Sequence, residues 1–249
     1  MNPFGFSRTK VHRDHAFIAP DSHVEAAMPG WTKTQSITLI SPQMGARFTQ
    51  YLAKMEAKGT AGPPLQGVER FIYVLAGSLT FQAGDIKNAR LRPGHYVYLP
   101  PDLGHKLQAS EPSRLVVFER RYVALAGVPR PDPVMGRQQD VKGEPFLGDP
   151  DARLKTLLPV DLAFDMAVNL FTFQPGAALP FVEVHVMEHG LLFVEGQGIY
   201  RLADEWYPIQ AGDVLWMAPY CPQWFAAIGK TPSAYLYYKD VNRDPLGLI

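Results

Sequence analysis

Three side chains of types that bind divalent metals in many proteins are spaced for convergence in the second half of the chain. Glu183, His185 and His189 lie two and four residues apart in a β-rich segment punctuated by glycine. Residues i and i+2 of a strand project to one face, and a further step of four returns to that face if the strand continues. The spacing therefore predicts a divalent-metal site made of one carboxylate and two imidazoles. The alternative is a polar outer strand whose histidines are merely solvated.

Many short strands joined by turns must position these side chains. The 249 residues include 23 prolines and 21 glycines, spread between short runs of Val, Ile, Leu, Phe and Tyr, and convincing amphipathic helices are scarce. This pattern is typical of all-β sandwiches and barrels. Three segments also recur in order, which predicts two copies of one β unit: Glu69–Leu79 as Glu188–Gly198, Pro93–Pro101 as Ala211–Pro219, and Gly104–His105 as Pro222–Gln223.

The composition excludes several classes of function. The 24 lysine and arginine residues are balanced by 24 aspartate and glutamate residues, which argues against non-specific nucleic-acid binding. The first residues lack the apolar run of a signal peptide, and no stretch approaches the roughly 18 apolar residues of a membrane span. We therefore expect a cytoplasmic protein with no nucleic-acid or membrane partner. The single cysteine, Cys221, rules out an intrachain disulfide and thiolate zinc sites, and we interpret it as a packing residue.

The two copies resemble the cupin family, whose members are double-stranded β-helix (jelly-roll) barrels that hold a metal inside. The first cupin motif, Gly-x5-His-x-His-x3,4-Glu-x6-Gly, is matched by Gly176-x6-Glu183-x-His185-x3-His189-x6-Gly196, with one extra residue and changed ligand types. The second motif, Gly-x5-Pro-x-Gly-x2-His, is matched by Gly212 and, eleven positions later, Gln223 in place of the histidine. The resemblance implies an all-β bicupin of two tandem barrels. The expected parts are an N-terminal arm at 1–40, a first barrel at 41–126, a linker at 127–152 and a second barrel at 153–249.

The two barrels differ in their metal-binding residues. In the first barrel the slots of Glu183, His185 and His189 hold Pro64, Gln66 and Arg70, and only His105, in the Gln223 slot, is a donor. One histidine cannot hold a divalent ion against water, so we expect the first barrel to have lost its metal site. The remaining histidines have no ligand spacing and are interpreted as surface or packing residues: His12, His15, His23 and His95.

The donors expected in the second barrel are Glu183, His185, His189 and the side-chain oxygen of Gln223. Two oxygens and two nitrogens favour a hard or borderline ion, with Mn²⁺ first and Fe²⁺ or Zn²⁺ after it. Glu188 should point to the opposite face of the strand, where we expect a structural role.

Several segments are similar to the (S)-ureidoglycine aminohydrolase family, a group of manganese-dependent bicupins of purine (allantoin) degradation. These segments are Glu183–Gly190, Gly196–Tyr200, Tyr235–Asp244, Glu119–Tyr122 and Phe71–Val74. The resemblance implies hydrolysis of (S)-ureidoglycine to (S)-ureidoglycolate and ammonia. It also implies metal ligation by Glu183, His185, His189 and Gln223, substrate contacts from Glu183, Gln223, Tyr235 and Lys239, and a site-facing aromatic ring at Tyr200.

The residue types suit this chemistry. Strand alternation places Tyr235, Tyr237 and Lys239 on one face, where a lysine is costly unless an anion pairs with it. Lys239 is expected to bind a carboxylate or ureido oxygen of the substrate, with a hydrogen bond from Tyr235. Glu183 is expected to carry protons between the incoming water and the departing amine, so Glu183 and Lys239 are the predicted catalytic residues.

Two alternatives remain open at this point. One is another cupin enzyme, such as an Fe²⁺ dioxygenase or a sugar isomerase, and the other is a non-enzymatic ligand-binding cupin. We also expect a homo-oligomer, because the arm before Ser41 can cover a sheet edge between subunits. The motif Asp240–Asp244 is expected to anchor the C-terminus.

Overall fold

The computed structural model describes residues 6–240, whose regular secondary structure is almost entirely β-strand, as predicted. Two compact units are present among these residues. The N-terminal unit contains residues 24–141 and 161–165, and the C-terminal unit contains residues 6–23, 142–160 and 166–240. No helix within residues 6–240 is long and apolar enough to cross a membrane.

The strands follow one another in chain order, with three short 3₁₀ helices at Pro20–Ser22, Pro42–Met44 and Gln138–Asp140. The strands are β1 (Lys10–Val11), β2 (His15–Ile18), β3 (Ala26–Ala27), β4 (Thr32–Ile40), β5 (Thr49–Thr60), β6 (Val68–Ala76), β7 (Leu79–Ala83), β8 (Ile86–Leu91), β9 (His95–Leu99), β10 (His105–Ala109), β11 (Ser113–Arg121), β12 (Val134–Arg137), β13 (Glu144–Phe146), β14 (Asp149–Thr156), β15 (Ala167–Phe173), β16 (His189–Glu195), β17 (Gln197–Leu202), β18 (Glu205–Gln210), β19 (Val214–Met217), β20 (Gln223–Ile228) and β21 (Ser233–Lys239).

The N-terminal unit is built on one antiparallel sheet in the order β12-β9-β6-β11-β5-β10-β7-β8, with β4 paired to β5 and β3 paired to β4. Its core takes alternate residues from these strands. In β7, for example, Leu79, Phe81 and Ala83 are buried while Thr80 is exposed. This alternation is the pattern expected of a strand with one face against a core.

The C-terminal unit has two sheets, ordered β1-β2-β19-β16-β21-β15-β14-β13 and β18-β17-β20. Their inner faces supply one apolar cluster that includes Phe173, Phe193, Tyr200, Phe225 and Tyr235. Strand β2 pairs with β19 of the same chain, so this part of the N-terminal segment covers a sheet edge within its own chain.

The repeat is visible in two turns that require glycine. Gly77 directly follows β6 with φ +85°, and Gly196 directly follows β16 with φ +78°. A Cβ atom at Gly77 would lie 2.5 Å from the Pro112 carbonyl oxygen, and one at Gly196 would lie 2.4 Å from that of Pro232. Left-handed backbone and contact with a neighbouring turn together exclude other residues at both positions.

Both segments predicted to lie outside the barrels contribute to the two units. Of the arm predicted at 1–40, residues 6–23 belong to the C-terminal unit and residues 24–40 to the N-terminal unit. The segment 127–152, predicted as the linker, contains β12, β13 and the first residues of β14. Strand β12 is held by pairing with β9 rather than by an apolar run of its own. In the predicted C-terminal anchor, residues 241–244 lie outside the described residues.

Candidate active site and metal centre

The predicted donors do not lie on one continuous strand, and this corrects the expectation from their spacing. Glu183 forms an isolated bridge with Gln223, in which the two backbone N–H groups donate across distances of 2.8 and 2.9 Å. His185 lies in the loop that follows, where its carbonyl oxygen accepts a hydrogen bond from the Tyr220 N–H at 2.7 Å. His189 is the first residue of β16. A loop held at these points, rather than strand alternation, brings His185, His189 and Gln223 together.

The two imidazoles converge through their Nε2 atoms, which lie 3.1 Å apart. His185 Nδ1 donates a hydrogen bond to the Met187 carbonyl oxygen at 3.1 Å, which leaves the lone pair on His185 Nε2. Gln223 Nε2 lies 3.0 Å from the same His185 Nε2 atom. The lone pair of His185 Nε2 therefore faces two nitrogen atoms, His189 Nε2 and Gln223 Nε2.

This arrangement fits a bound cation. Two donors that each bind an ion at about 2.1 Å, at right angles to one another, lie about 3 Å apart. The separations of His185 Nε2 from His189 and from Gln223 match that value. The Gln223 amide must be reversed to present its oxygen to the ion. The oxygen and nitrogen of an amide group are assigned from their hydrogen-bond partners, so both orientations are open. Tyr200, whose hydroxyl now donates to Gln223 Oε1 at 3.0 Å, can equally accept from the reversed amide nitrogen.

Burial keeps both imidazoles neutral. It lowers the pKa of His185, and it lowers the pKa of the buried His189 well below its ordinary value. A protonated His185 and the Lys239 ammonium group both lower the pKa of His189 further. Neutral imidazoles with free lone pairs are the form that binds metals.

Glu183 and Lys239 form the charged side of the site. Burial raises the pKa of Glu183, and the charge of Lys239 opposes that shift. Burial lowers the pKa of Lys239, and Glu183 opposes it in turn. Among the described residues, two sets of three histidine, cysteine or acidic side chains have ligand atoms within 4.8 Å of one another, and Glu183 is in neither set. The carboxylate is therefore the predicted donor that stands apart from the imidazole pair.

Three tyrosines line the inner face behind these groups. Tyr200 and Tyr235 are hydrogen-bonded to one another, and burial raises the pKa of both hydroxyls. Tyr237 stacks on His189 with ring centroids 5.4 Å apart, and the Asn169 side chain hydrogen-bonds the Tyr237 hydroxyl. Asn169 lies opposite Tyr237 on β15. Sequence spacing gave no signal for Asn169, because only the register between β15 and β21 brings it to the site.

Known proteins are similar to this chain in sequence and fold. Residues 169–238 match the Cupin domain family. The chain is 48% identical over 244 residues to the (S)-ureidoglycine aminohydrolase of Arabidopsis thaliana, covering 97% of the chain and 80% of that protein. It is 34% identical over 238 residues to the (S)-ureidoglycine aminohydrolase of Escherichia coli K12, covering 94% and 90%. The crystal structure of protein Ylba from E. coli superposes with a TM-score of 0.84 at 32% identity, with 96% of each chain covered.

The chain belongs to the (S)-ureidoglycine aminohydrolase family. The predicted family, the predicted enzyme class and the all-β bicupin fold are confirmed. Two other predicted features agree with the structure. Glu188 is fully buried away from the donors and accepts a hydrogen bond from Trp216 Nε1 at 2.9 Å. Cys221 is buried in the core, where burial raises the pKa of its thiol to about 11.

The N-terminal unit carries an arginine at the corresponding position. Arg70 on β6 lies opposite Glu119 on β11, as His189 on β16 lies opposite Lys239 on β21. The buried guanidinium of Arg70 contacts three groups: Glu119 Oε1 at 2.5 Å, the Gly62 carbonyl oxygen at 2.7 Å and His105 Nε2 at 3.3 Å. The Arg70 guanidinium of the N-terminal unit thus lies at the position that His189 has in the C-terminal unit.

Proposed function

We propose that this protein catalyses the manganese-dependent hydrolysis of (S)-ureidoglycine to (S)-ureidoglycolate and ammonia, a step of purine (allantoin) degradation. The observation that carries the proposal is the convergence of His185, His189 and Gln223 on one point beside Glu183 and Lys239. Curated relatives from a plant and a bacterium bear the name of this activity and are similar over nearly the whole chain.

The residues that would hold Mn²⁺ are Glu183, His185, His189 and Gln223. Two nitrogen and two oxygen donors suit a hard or borderline ion. When bound, the ion would supply positive charge that orients and polarises the carboxylate and amine of the substrate. The second barrel is the proposed site, and the first barrel is proposed to hold no metal, because Arg70 supplies a fixed positive charge there.

Substrate orientation is assigned to Lys239, Tyr235 and Tyr200. Lys239 is partly buried, so an anionic oxygen beside it gains a charge-assisted hydrogen bond in a region of low dielectric. The linked hydroxyls of Tyr235 and Tyr200 offer further donors to the carboxylate or ureido group. Fixing these groups holds the reacting carbon in one orientation.

Proton transfer is assigned to Glu183. Burial raises its pKa, which makes the carboxylate a stronger base than an exposed glutamate. It can take a proton from the incoming water and deliver a proton to the departing amine. Positioned acid–base catalysis of this kind contributes about 10²–10⁴-fold.

The test is ammonia release from freshly generated ureidoglycine, with added Mn²⁺ and with a chelator. We expect release that is stereospecific, lost in chelator and restored best by Mn²⁺. Substrate-dependent oxygen uptake without ammonia would instead favour an iron dioxygenase. Absence of ammonia release from metal-loaded protein would contradict the proposal. Homo-oligomer formation and a cytoplasmic location stay predictions, and light scattering of the purified protein would measure its mass.

A further inference from the structure

We propose a second divalent-metal site in the C-terminal unit, formed by His12, His15 and Glu205. One nitrogen of each imidazole and one carboxylate oxygen lie within 4.8 Å of one another. Two imidazoles and one carboxylate suit borderline transition ions such as Zn²⁺ or Ni²⁺ rather than Mg²⁺ or Ca²⁺. This site shares no residue with the predicted manganese centre and does not depend on the proposed function.

The donors come from two places in the fold. His12 lies in the turn between β1 and β2, and His15 is the first residue of β2. Their rings stack with centroids 4.5 Å apart and planes 15° apart. Glu205 begins β18, which belongs to the other sheet of the same unit.

His12 and Glu205 lie close enough to bind one ion together. His12 Nε2 lies 3.2 Å from Glu205 Oε1. The same nitrogen is shielded from solvent, yet it is not aligned for a hydrogen bond to the carboxylate. A buried nitrogen this close to an oxygen but off the hydrogen-bond direction has the spacing of two donors that share an ion.

Neighbouring groups orient the other two donors. Asp14 Oδ1 lies 2.9 Å from His15 Nδ1, the carboxylate–histidine contact that commonly supports a metal-bound imidazole at its other nitrogen. Tyr207 donates a hydrogen bond to Glu205 Oε2 at 2.8 Å and lies 2.9 Å from His15 Nε2. Binding an ion would replace the contact between His15 and Tyr207, while Tyr207 continues to hold Glu205.

A competing set of donors shares His15 but is a poorer site. Asp14, His15 and Cys221 also lie within 4.8 Å of one another. In that set Asp14 Oδ1 and His15 Nδ1 already contact one another at 2.9 Å, and the Cys221 thiol donates to the Pro222 carbonyl oxygen at 3.7 Å. The geometry therefore points to the set that contains Glu205.

An ion at this position would join the two sheets of the C-terminal unit. His15 lies opposite Met217, which lies opposite His189, so His15 is two strands away from the predicted manganese centre. Neighbouring strands are about 4.8 Å apart, which places the two sites about 10 Å from one another along the sheet. We infer that the ion holds the β1–β2 hairpin against β18.

The test uses a background in which the predicted manganese centre is removed by His185→Ala and His189→Ala. Zn²⁺ is titrated into this variant by calorimetry, with thermal unfolding and trypsin cleavage within the β1–β2 hairpin followed in parallel. We expect one Zn²⁺ bound per chain, a higher unfolding temperature and slower cleavage. Adding His12→Gln should weaken Zn²⁺ binding by at least about tenfold.

Adding His95→Gln instead is the matched control, because His95 lies outside both clusters, and it should change nothing. Equal unfolding temperatures in chelator for all variants would show that each is folded. Zn²⁺ binding that is absent in the background variant, or that His12→Gln and His95→Gln affect equally, would overturn the proposal. Ammonia release by the otherwise unaltered protein should be unaffected by His12→Gln, so the two proposals fail independently.

Discussion

Lys239 on β21 lies directly opposite His189 on β16, so an ammonium group and a metal-type imidazole share one row of the sheet. The lysine charge lowers the pKa of His189, and burial lowers the pKa of both groups. Two cations in this buried row would repel one another, whereas a neutral imidazole and an ammonium do not. The neutral His189 imidazole is therefore suited to binding a metal cation, and the Lys239 ammonium is suited to binding an anionic substrate.

Glu183→Gln should reduce turnover of ureidoglycine by about 10²–10⁴-fold, because an amide cannot carry the proton. The matched control is Glu195→Gln, which changes an exposed glutamate on β16. Steady-state ammonia release measures the effect, and metal analysis separates loss of the base from loss of a ligand. Near-full turnover of the metal-loaded Glu183→Gln variant would remove Glu183 from the proposed proton path.

Lys239→Met should weaken capture of the substrate. A hydrogen bond to a charged group contributes about 1.5–3 kcal/mol, which corresponds to roughly 10–100-fold in kcat/KM. Lys230→Met is the control, since Lys230 is exposed in the turn before β21. If kcat/KM is equally affected in both variants, or in neither, Lys239 does not bind the substrate carboxylate or ureido oxygen.

Most of the features that could be predicted from the sequence followed from the internal repeat and from the types of the donor residues. Matching glycines and apolar runs identified two β units, because each unit needs the same turn between its corresponding strands. Alternation in β21 correctly placed Tyr235 and Tyr237 on the inner face, where they join the core of the C-terminal unit. These features depend on residues that are close in sequence, so they can be recognised within a short segment.

Pairings between distant segments were not predicted. The pairing of β2 with β19 joins residues near the two ends of the chain, and the bridge from Glu183 to Gln223 replaces a continuous strand. Asn169 reaches Tyr237 only through the register of β15 with β21. Such contacts depend on which strands become neighbours, and no periodicity within a segment encodes that choice.

Tyr200→Phe should lower metal affinity while leaving the protein folded. The Tyr200 hydroxyl is the hydrogen-bond partner that fixes the Gln223 amide, and loss of such a supporting group typically costs about 10–100-fold in affinity. Competition with a fluorescent chelator measures Mn²⁺ binding directly. Tyr220→Phe is a suitable control, because that ring is exposed and the Tyr220 backbone makes the contact to His185. Unchanged Mn²⁺ affinity in the Tyr200→Phe variant would mean that the Tyr200 hydroxyl does not orient the Gln223 amide for metal binding.

Arg70→Met should destabilise the protein by about 3–5 kcal/mol, because it leaves the partly buried Glu119 carboxylate without its cation. The double variant Arg70→Met, Glu119→Leu should recover most of that loss, since an apolar pair of similar volume leaves no uncompensated charge. Urea unfolding of the two single variants and the double variant measures the coupling. Additive losses would show that the ion pair does not stabilise the N-terminal unit.

Stability should fall in mild acid because of His105. Burial and the charge of Arg70 lower the pKa of His105 to about 4, against about 6.5 in an unfolded chain. Between these values the unfolded chain binds a proton that the folded protein does not, so acid favours unfolding. The contribution of neutral His105 to the free energy of unfolding is complete above about pH 6.5 and decreases as the pH falls. It is fully lost below about pH 4, and the total change is at most about 3 kcal/mol.

His105→Gln should therefore flatten the dependence of the unfolding free energy on pH between about 4 and 6.5. His95→Gln is the control for this measurement, because the His95 ring lies near the surface, where its Nδ1 atom contacts the Arg92 carbonyl oxygen at 3.0 Å. Urea unfolding at several pH values in a chelator keeps bound metal from contributing to the slope. If wild type and His105→Gln show the same slope, the buried imidazole does not set the acid sensitivity.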